Sequence, residues 1–289
     1  MALRTGVVSR RLFLMGGAAR AAQKVAEPPP ADFLCPMDRD VRSAGPGKCP
    51  RCGMKLVANL PDPESYRLRV TAQPSPLRAG KPTRFEFAVL HPKTGAVVRE
   101  FEIVHERIFH LFLISQDLSY FAHEHPEPTA SGTFLFETTL PRPGAYRLVA
   151  DCYPKGATPQ FLTQTIFTAG ARLEPPPEIA ANLTPQRAQN ISVELRTEPA
   201  PLAGQETQLH FRIAPADGLE QYLGAWGHLL TASDDLVDLI HDHPFLVNGG
   251  DLQFNVIFPR PRTYRVWVQF QRQGVVNTVK FDVPVSELR

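Results

Sequence analysis

The chain has 289 residues, enough for about two domains at ~150 residues each. Hydrophobic residues at 43% and charged residues at 21% exclude wholesale disorder. A net charge of +2 without a long Lys/Arg run excludes a strongly basic nucleic-acid binder, and no apolar run approaches the ~18 residues of a spanning helix.

Ser9-Arg10-Arg11-Leu12-Phe13-Leu14 sets paired arginines before a short apolar stretch, and Ala19-Arg20-Ala21 follows as an A-x-A cleavage site. The order resembles the bacterial twin-arginine signal. It implies that residues 1–21 direct export to the periplasm or beyond. That segment carries four Arg and no acidic residue, so the remainder balances at −2.

After a stiff spacer at Glu27-Pro28-Pro29-Pro30 comes a cysteine-rich segment, residues 32–58. Cys35-Pro36-Met37-Asp38 is followed by a Gly/Pro loop and by Cys49-Pro50-Arg51-Cys52-Gly53-Met54. A C-x-x-C pair on a tight turn aims two thiolates at one centre, and Cys35 supplies a third. So short a segment cannot build a sufficient core alone, which makes a metal ion the natural staple. A Cys49–Cys52 disulfide and a thiol redox motif are the alternatives; the redox motif expects an α/β setting that this chain lacks. Phe33 to Val57 resembles the heavy-metal-binding domain of copper/silver efflux adaptors and copper-transporting P-type ATPases. The resemblance implies metal as ligand and metal-efflux components as partners. Where that family has His-Pro, this chain has Asp38-Arg39. The fourth ligand is then Asp38, Met37 or Met54, or the site is three-coordinate; carboxylate suits Zn²⁺ and thioether suits Cu(I).

The rest is one domain written twice. His110 to Pro126 aligns without gaps on His228 to Pro244, at an offset of 118, and Pro141-Arg142-Pro143 through Tyr146 aligns on Pro259-Arg260-Pro261 through Tyr264. The prolines are 29 in all and hostile to helix interiors and central strands; with period-2 alternation and frequent turn signals they predict two tandem immunoglobulin-like β-sandwiches, at 66–169 and 191–284. Residues 170–190 read as a linker with one helical turn at Ile179 to Leu183. The fold class is all-β, led by a small Cys-rich metal-binding knuckle. The repeats resemble uncharacterised secreted bacterial β-sandwich proteins with the same H-x-H-P hairpin, a likeness that implies no activity.

Each copy carries a histidine constellation. With a two-residue turn at Asp117-Leu118, His110 sits opposite His125, and His123 shares that face. Directly opposed residues have Cβ atoms ~4.5–5.5 Å apart, so three imidazoles can converge on one ion. His228, His241 and His243 repeat the pattern, and His105 lies just upstream of the first hairpin. Neutral imidazole suits Zn²⁺ and Cu²⁺. The competing reading is that strand histidines are buried and bonded to backbone. There is no nucleophile elbow, no phosphate-cradling Gly loop and no H-E-x-x-H. The expectation is a non-enzymatic, exported metal-binding protein, with an envelope scaffold carrying a purely structural knuckle as the alternative.

Overall fold

The computed structural model describes residues 33–36, 38, 41–51, 53–58, 64–172, 175 and 177–287. The expected signal at 1–21 and the candidate ligands Met37 and Cys52 lie outside them. Among the described residues every regular element is a strand, and all strand pairs are antiparallel.

The cysteine segment forms β1 (Phe33–Leu34), β2 (Arg42–Ser43) and β3 (Val57–Ala58), with β1 between the other two. Its knuckle closes through Cys49 N to the Met54 carbonyl (2.7 Å) and Gly53 N to the Cys49 carbonyl (2.9 Å). Gly53 takes φ +72, the left-handed region that a side chain resists.

The first repeat runs β4 (Arg67–Gln73), β5 (Pro82–Leu90), β6 (Phe109–Ser115), β7 (Phe121–Glu124), β8 (Glu127–Pro128), β9 (Phe134–Thr139), β10 (Ala145–Cys152) and β11 (Gln160–Phe167). Its two sheets, β4-β5-β9-β8 and β11-β10-β6-β7, pack face to face. Phe85, Phe87 and Phe134 from one interdigitate with Leu111, Leu113 and Leu148 from the other. The second repeat runs β12 (Gln186–Arg187), β13 (Ser192–Glu198), β14 (Glu206–Ala214), β15 (Leu219–Glu220), β16 (His228–Ser233), β17 (Leu239–Asp242), β18 (Leu246–Asn248), β19 (Asp251–Ile257), β20 (Thr263–Arg272) and β21 (Val275–Pro284). Sheet β12-β13-β14-β19-β18 faces β15-β20-β16-β17, with β21 on β20, over a core that includes Phe211, Phe254, Phe270 and Phe281. In both copies the tyrosine of the Pro-Arg-Pro block donates back to the carbonyl four residues upstream, Tyr146 to Arg142 (2.7 Å) and Tyr264 to Arg260 (3.2 Å).

The helical turn expected at Ile179 to Leu183 does not form. An isolated turn gains little on its own. Here Asn182 instead exchanges backbone hydrogen bonds with Asp282, at 2.9 and 3.0 Å. Strand pairing of the second sandwich begins at Gln186, inside the segment read as linker.

The two repeats meet through β6, β7 and β10 on one side and β16, β17 and β20 on the other. Phe112, Ile114 and Val149 pack on Leu230, Ala232 and Trp267. The Phe121 and Trp267 rings stack at 4.9 Å. Every residue of β6 and of β16 is therefore buried, one face in its own sandwich and the other against the sister repeat.

Candidate metal centre

The hairpin β6–β7 has the expected register: Phe112 pairs with His123 and Leu111 with Glu124, placing His110 across from His125. The turn is wider than two residues. Ser115 N reaches the Tyr120 carbonyl (3.1 Å), Leu118 N returns to the Ser115 carbonyl (2.8 Å), and Leu118 is left-handed at φ 55. The loop remains centred on Asp117-Leu118, so the wider turn does not slip the register. The hairpin β16–β17 repeats this, with Leu230 opposite His241 and Leu236 at φ 55.

The histidines converge. His110 Nδ1 lies 3.2 Å from both His123 Nε2 and His125 Nε2. In the second copy His228 Nδ1 lies 3.1 Å from His243 Nε2. In each trio one ring nitrogen per residue falls within 4.8 Å of the others. The outward nitrogens are held. His110 Nε2 donates to the Val104 carbonyl (3.0 Å) and His228 Nε2 donates to the Tyr222 carbonyl (2.8 Å). Both carbonyls belong to matching tight turns, Val104–Arg107 and Tyr222–Ala225. His123 Nδ1 donates to Gln269 Oε1 (2.7 Å), and His241 Nδ1 donates to Asp151 Oδ2 (2.6 Å). Fixing the outer N–H presents the inner nitrogen as a lone pair, the usual support of a metal-bound imidazole. His241 Nε2 is buried without a hydrogen-bond partner.

Burial holds five of the six trio rings neutral. It pushes His110 down to about 4 and His125 to about 3, and places His123, His228 and His243 well below the ordinary imidazole value, with neighbouring imidazoles adding to the effect. His105, at φ 47 on the Val104–Arg107 turn, is buried with its ring 3.7 Å from that of His243. Burial lowers it to about 3. The matching position in the second copy is Leu223, also left-handed at φ 52. Asp242 is raised to about 7 by burial, which outweighs its bond from His243 N (2.8 Å).

A third donor group sits in the cysteine segment. Asp38 Oδ2 accepts from Cys49 Sγ at 3.0 Å and lies 3.6 Å from Cys35 Sγ; these three residues form a compact set. Asp38 thus stands where the resembling family has its histidine. Arg51 Nε approaches Asp38 Oδ1 at 3.6 Å, and its guanidinium covers the Phe245 ring at 4.8 Å. Met54 is buried in the apolar cluster that Cys35 and Cys49 share with Val104 and Tyr153. Cys152 lies in the first sandwich core, where burial pushes its thiol up. It is packing rather than ligand.

Two sequence families match. The family described as Domain of unknown function (DUF8832) covers residues 63–167 and again 186–287. The chain belongs to this family. The description Heavy metal binding domain covers residues 33–59, ahead of the two DUF8832 repeats. No curated protein matches the chain. Among solved structures, DUF8832 repeats are similar to the Escherichia coli adhesin FdeC, at 13% identity and TM-score 0.26 over 81% of this chain and 71% of that one. Fibronectin(III)-like modules of Clostridium thermocellum CbhA give 11% identity and TM-score 0.23, over 76% and 95%. The Yersinia pseudotuberculosis adhesin InvE gives 11% and 0.23, over 75% and 58%.

Asp151 and Gln269 were not legible as site residues. They occupy equivalent places in the two repeats, opposite His110 on β10 and opposite His228 on β20. They differ in chemistry, so repeat alignment alone gives no donor signal there. No helix among the described residues is long and apolar enough to cross a membrane.

Proposed function

We propose that the protein is an exported, non-enzymatic binder of copper, zinc or a similar heavy-metal ion, which it buffers or hands to efflux components. The cysteine segment takes the soft ion through Cys35, Cys49 and Cys52, with Asp38 as a further donor. The histidine trios hold additional ions. The observation that carries the reading is donor convergence: three trios, each with its ligand atoms within 4.8 Å. Buried polar groups crowded in this way are costly without a cation among them. The match to Heavy metal binding domain supports metal as the ligand class. The twin-arginine pattern at Arg10-Arg11 supports export.

One observation favours a second reading. Cys35 and Cys49 share an apolar cluster with Val104 and Tyr153, as expected of a knuckle that fastens the segment to the first repeat. Elemental analysis and titration with Cu(I), Cu(II) and Zn²⁺ separate the two, using the intact chain and a C35S/C49S/C52S variant. A metal-storing protein retains ions in that variant. A scaffold with a structural knuckle retains none, and that result overturns the histidine part of the proposal.

A further inference from the structure

The two histidine trios share one space. His123 lies 5.5 Å and His110 6.4 Å from His228, ring centre to ring centre. His241 lies 5.9 Å from His110 and 6.1 Å from His123. Separations within a trio fall in the same range for these four rings: 5.5 Å for His110 and His123, 6.1 Å for His228 and His241. The support is exchanged as well. Gln269 of the second repeat orients His123 of the first, and Asp151 of the first orients His241 of the second.

We propose that the trios form a single two-ion centre astride the repeat interface, completed by a small anion bridging the ions. This rests on the metal-binding reading above and specifies it. Four lines of chemistry lead here. First, His110, His123 and His228 spend their outer N–H groups on oxygen acceptors, so their inner nitrogens are lone pairs, and His241, bonded to Asp151, leaves Nε2 buried without a partner. Lone pairs converging at 3.2 Å, as at His110 and His123, repel unless a cation lies between them. Second, two nitrogens on one tetrahedral ion with ~2.0–2.1 Å bonds stand about 3.3–3.4 Å apart. The observed 3.1 and 3.2 Å approaches are close to that spacing. Third, three neutral imidazoles leave each ion with an open fourth position. Two divalent charges in a buried site also need more compensation than Asp151 and Asp242 supply. A bridging anion such as hydroxide answers both needs. Fourth, a groove of about 610 Å³ lined by His123, Gln269 and Trp267 brings solvent to the edge of this space.

The test is Cu(II) loading of the C35S/C49S/C52S chain, with copper counted by elemental analysis and unpaired spins by electron paramagnetic resonance. The expected result is two copper ions per chain. The first gives a full signal, and the second abolishes signal rather than doubling it, because bridged Cu(II) pairs couple. H241Q, lacking one ligand of one trio, is expected to hold a single ion with full signal. Should the triple-serine chain fold poorly, the intact chain with the thiols of its cysteine segment first occupied by diamagnetic silver(I) gives the same readout. Two ions with two full, independent signals overturn the shared centre while leaving metal binding intact. One ion per chain overturns it too. No copper at all overturns the histidine part of the proposed function itself.

Discussion

At the scale of single residues, the asymmetry between Asp151 and Gln269 sets an expectation. Both orient a ligand ring, but only Asp151 brings charge, at 2.6 Å from His241 Nδ1. A carboxylate partner makes the imidazole a better donor, and losing such a partner typically costs ~10–100-fold in metal affinity. D151N is expected to weaken one of the two histidine-bound ions by that factor in a chelator competition. An unchanged affinity would show that the charge does no tuning. In the cysteine segment, C49S is expected to release one tightly held soft ion and to expose residues 33–57 to protease. Equal protection with unchanged metal content would sink the staple idea. D38H is expected to tighten Zn²⁺ binding, imidazole being a better nitrogen donor, while D38A weakens it. If neither variant shifts the Zn²⁺ isotherm, residue 38 is no ligand.

At the scale of strands, β6 and β16 hold the site because both their faces are covered. Phe112 is almost fully buried; its ring stacks on His123 at 4.3 Å and meets His241 edge-on at 4.8 Å. F112A is expected to cost ~3–5 kcal/mol in denaturant unfolding, the usual range for a buried Phe. A loss below ~1 kcal/mol would mean that the repeat interface contributes little beyond ordinary surface. The hairpins themselves were legible. The spacing from His110 to His123 and His125 fixed the register, and a symmetric loop kept it even though the turn is wider than two residues. The interface was not legible. Leu111-Phe112-Leu113-Ile114 is an unbroken apolar run, which marks a strand buried on both faces but does not say against what. The turn at Ile179 to Leu183 failed for a related reason: its backbone partner, Asp282, lies 100 residues away in sequence.

At the scale of the whole molecule, the neutral histidines make metal-free stability depend on pH. Their folded-state values lie at about 3 to 4 for His105, His110 and His125, below the ~6.5 of an unfolded chain. The unfolded state therefore binds more protons, and stability present above pH ~6.5 is lost as pH falls from there toward about 3. The denaturant midpoint of the metal-free protein is expected to drop steadily over that interval; a flat profile from pH 7 to pH 5 would contradict the burial of these rings. The two repeats also place matched clusters in unmatched surroundings. One has a carboxylate behind His241 and the extra ring of His105 over His243; the other has an amide behind His123, and the second copy of the turn carries Leu223. Geometry is shared while electrostatics differ, so under the proposed two-ion centre the carboxylate-backed cluster is expected to fill first and the amide-backed one at higher free metal. A two-site centre of unequal halves would then answer rising metal in two steps rather than one.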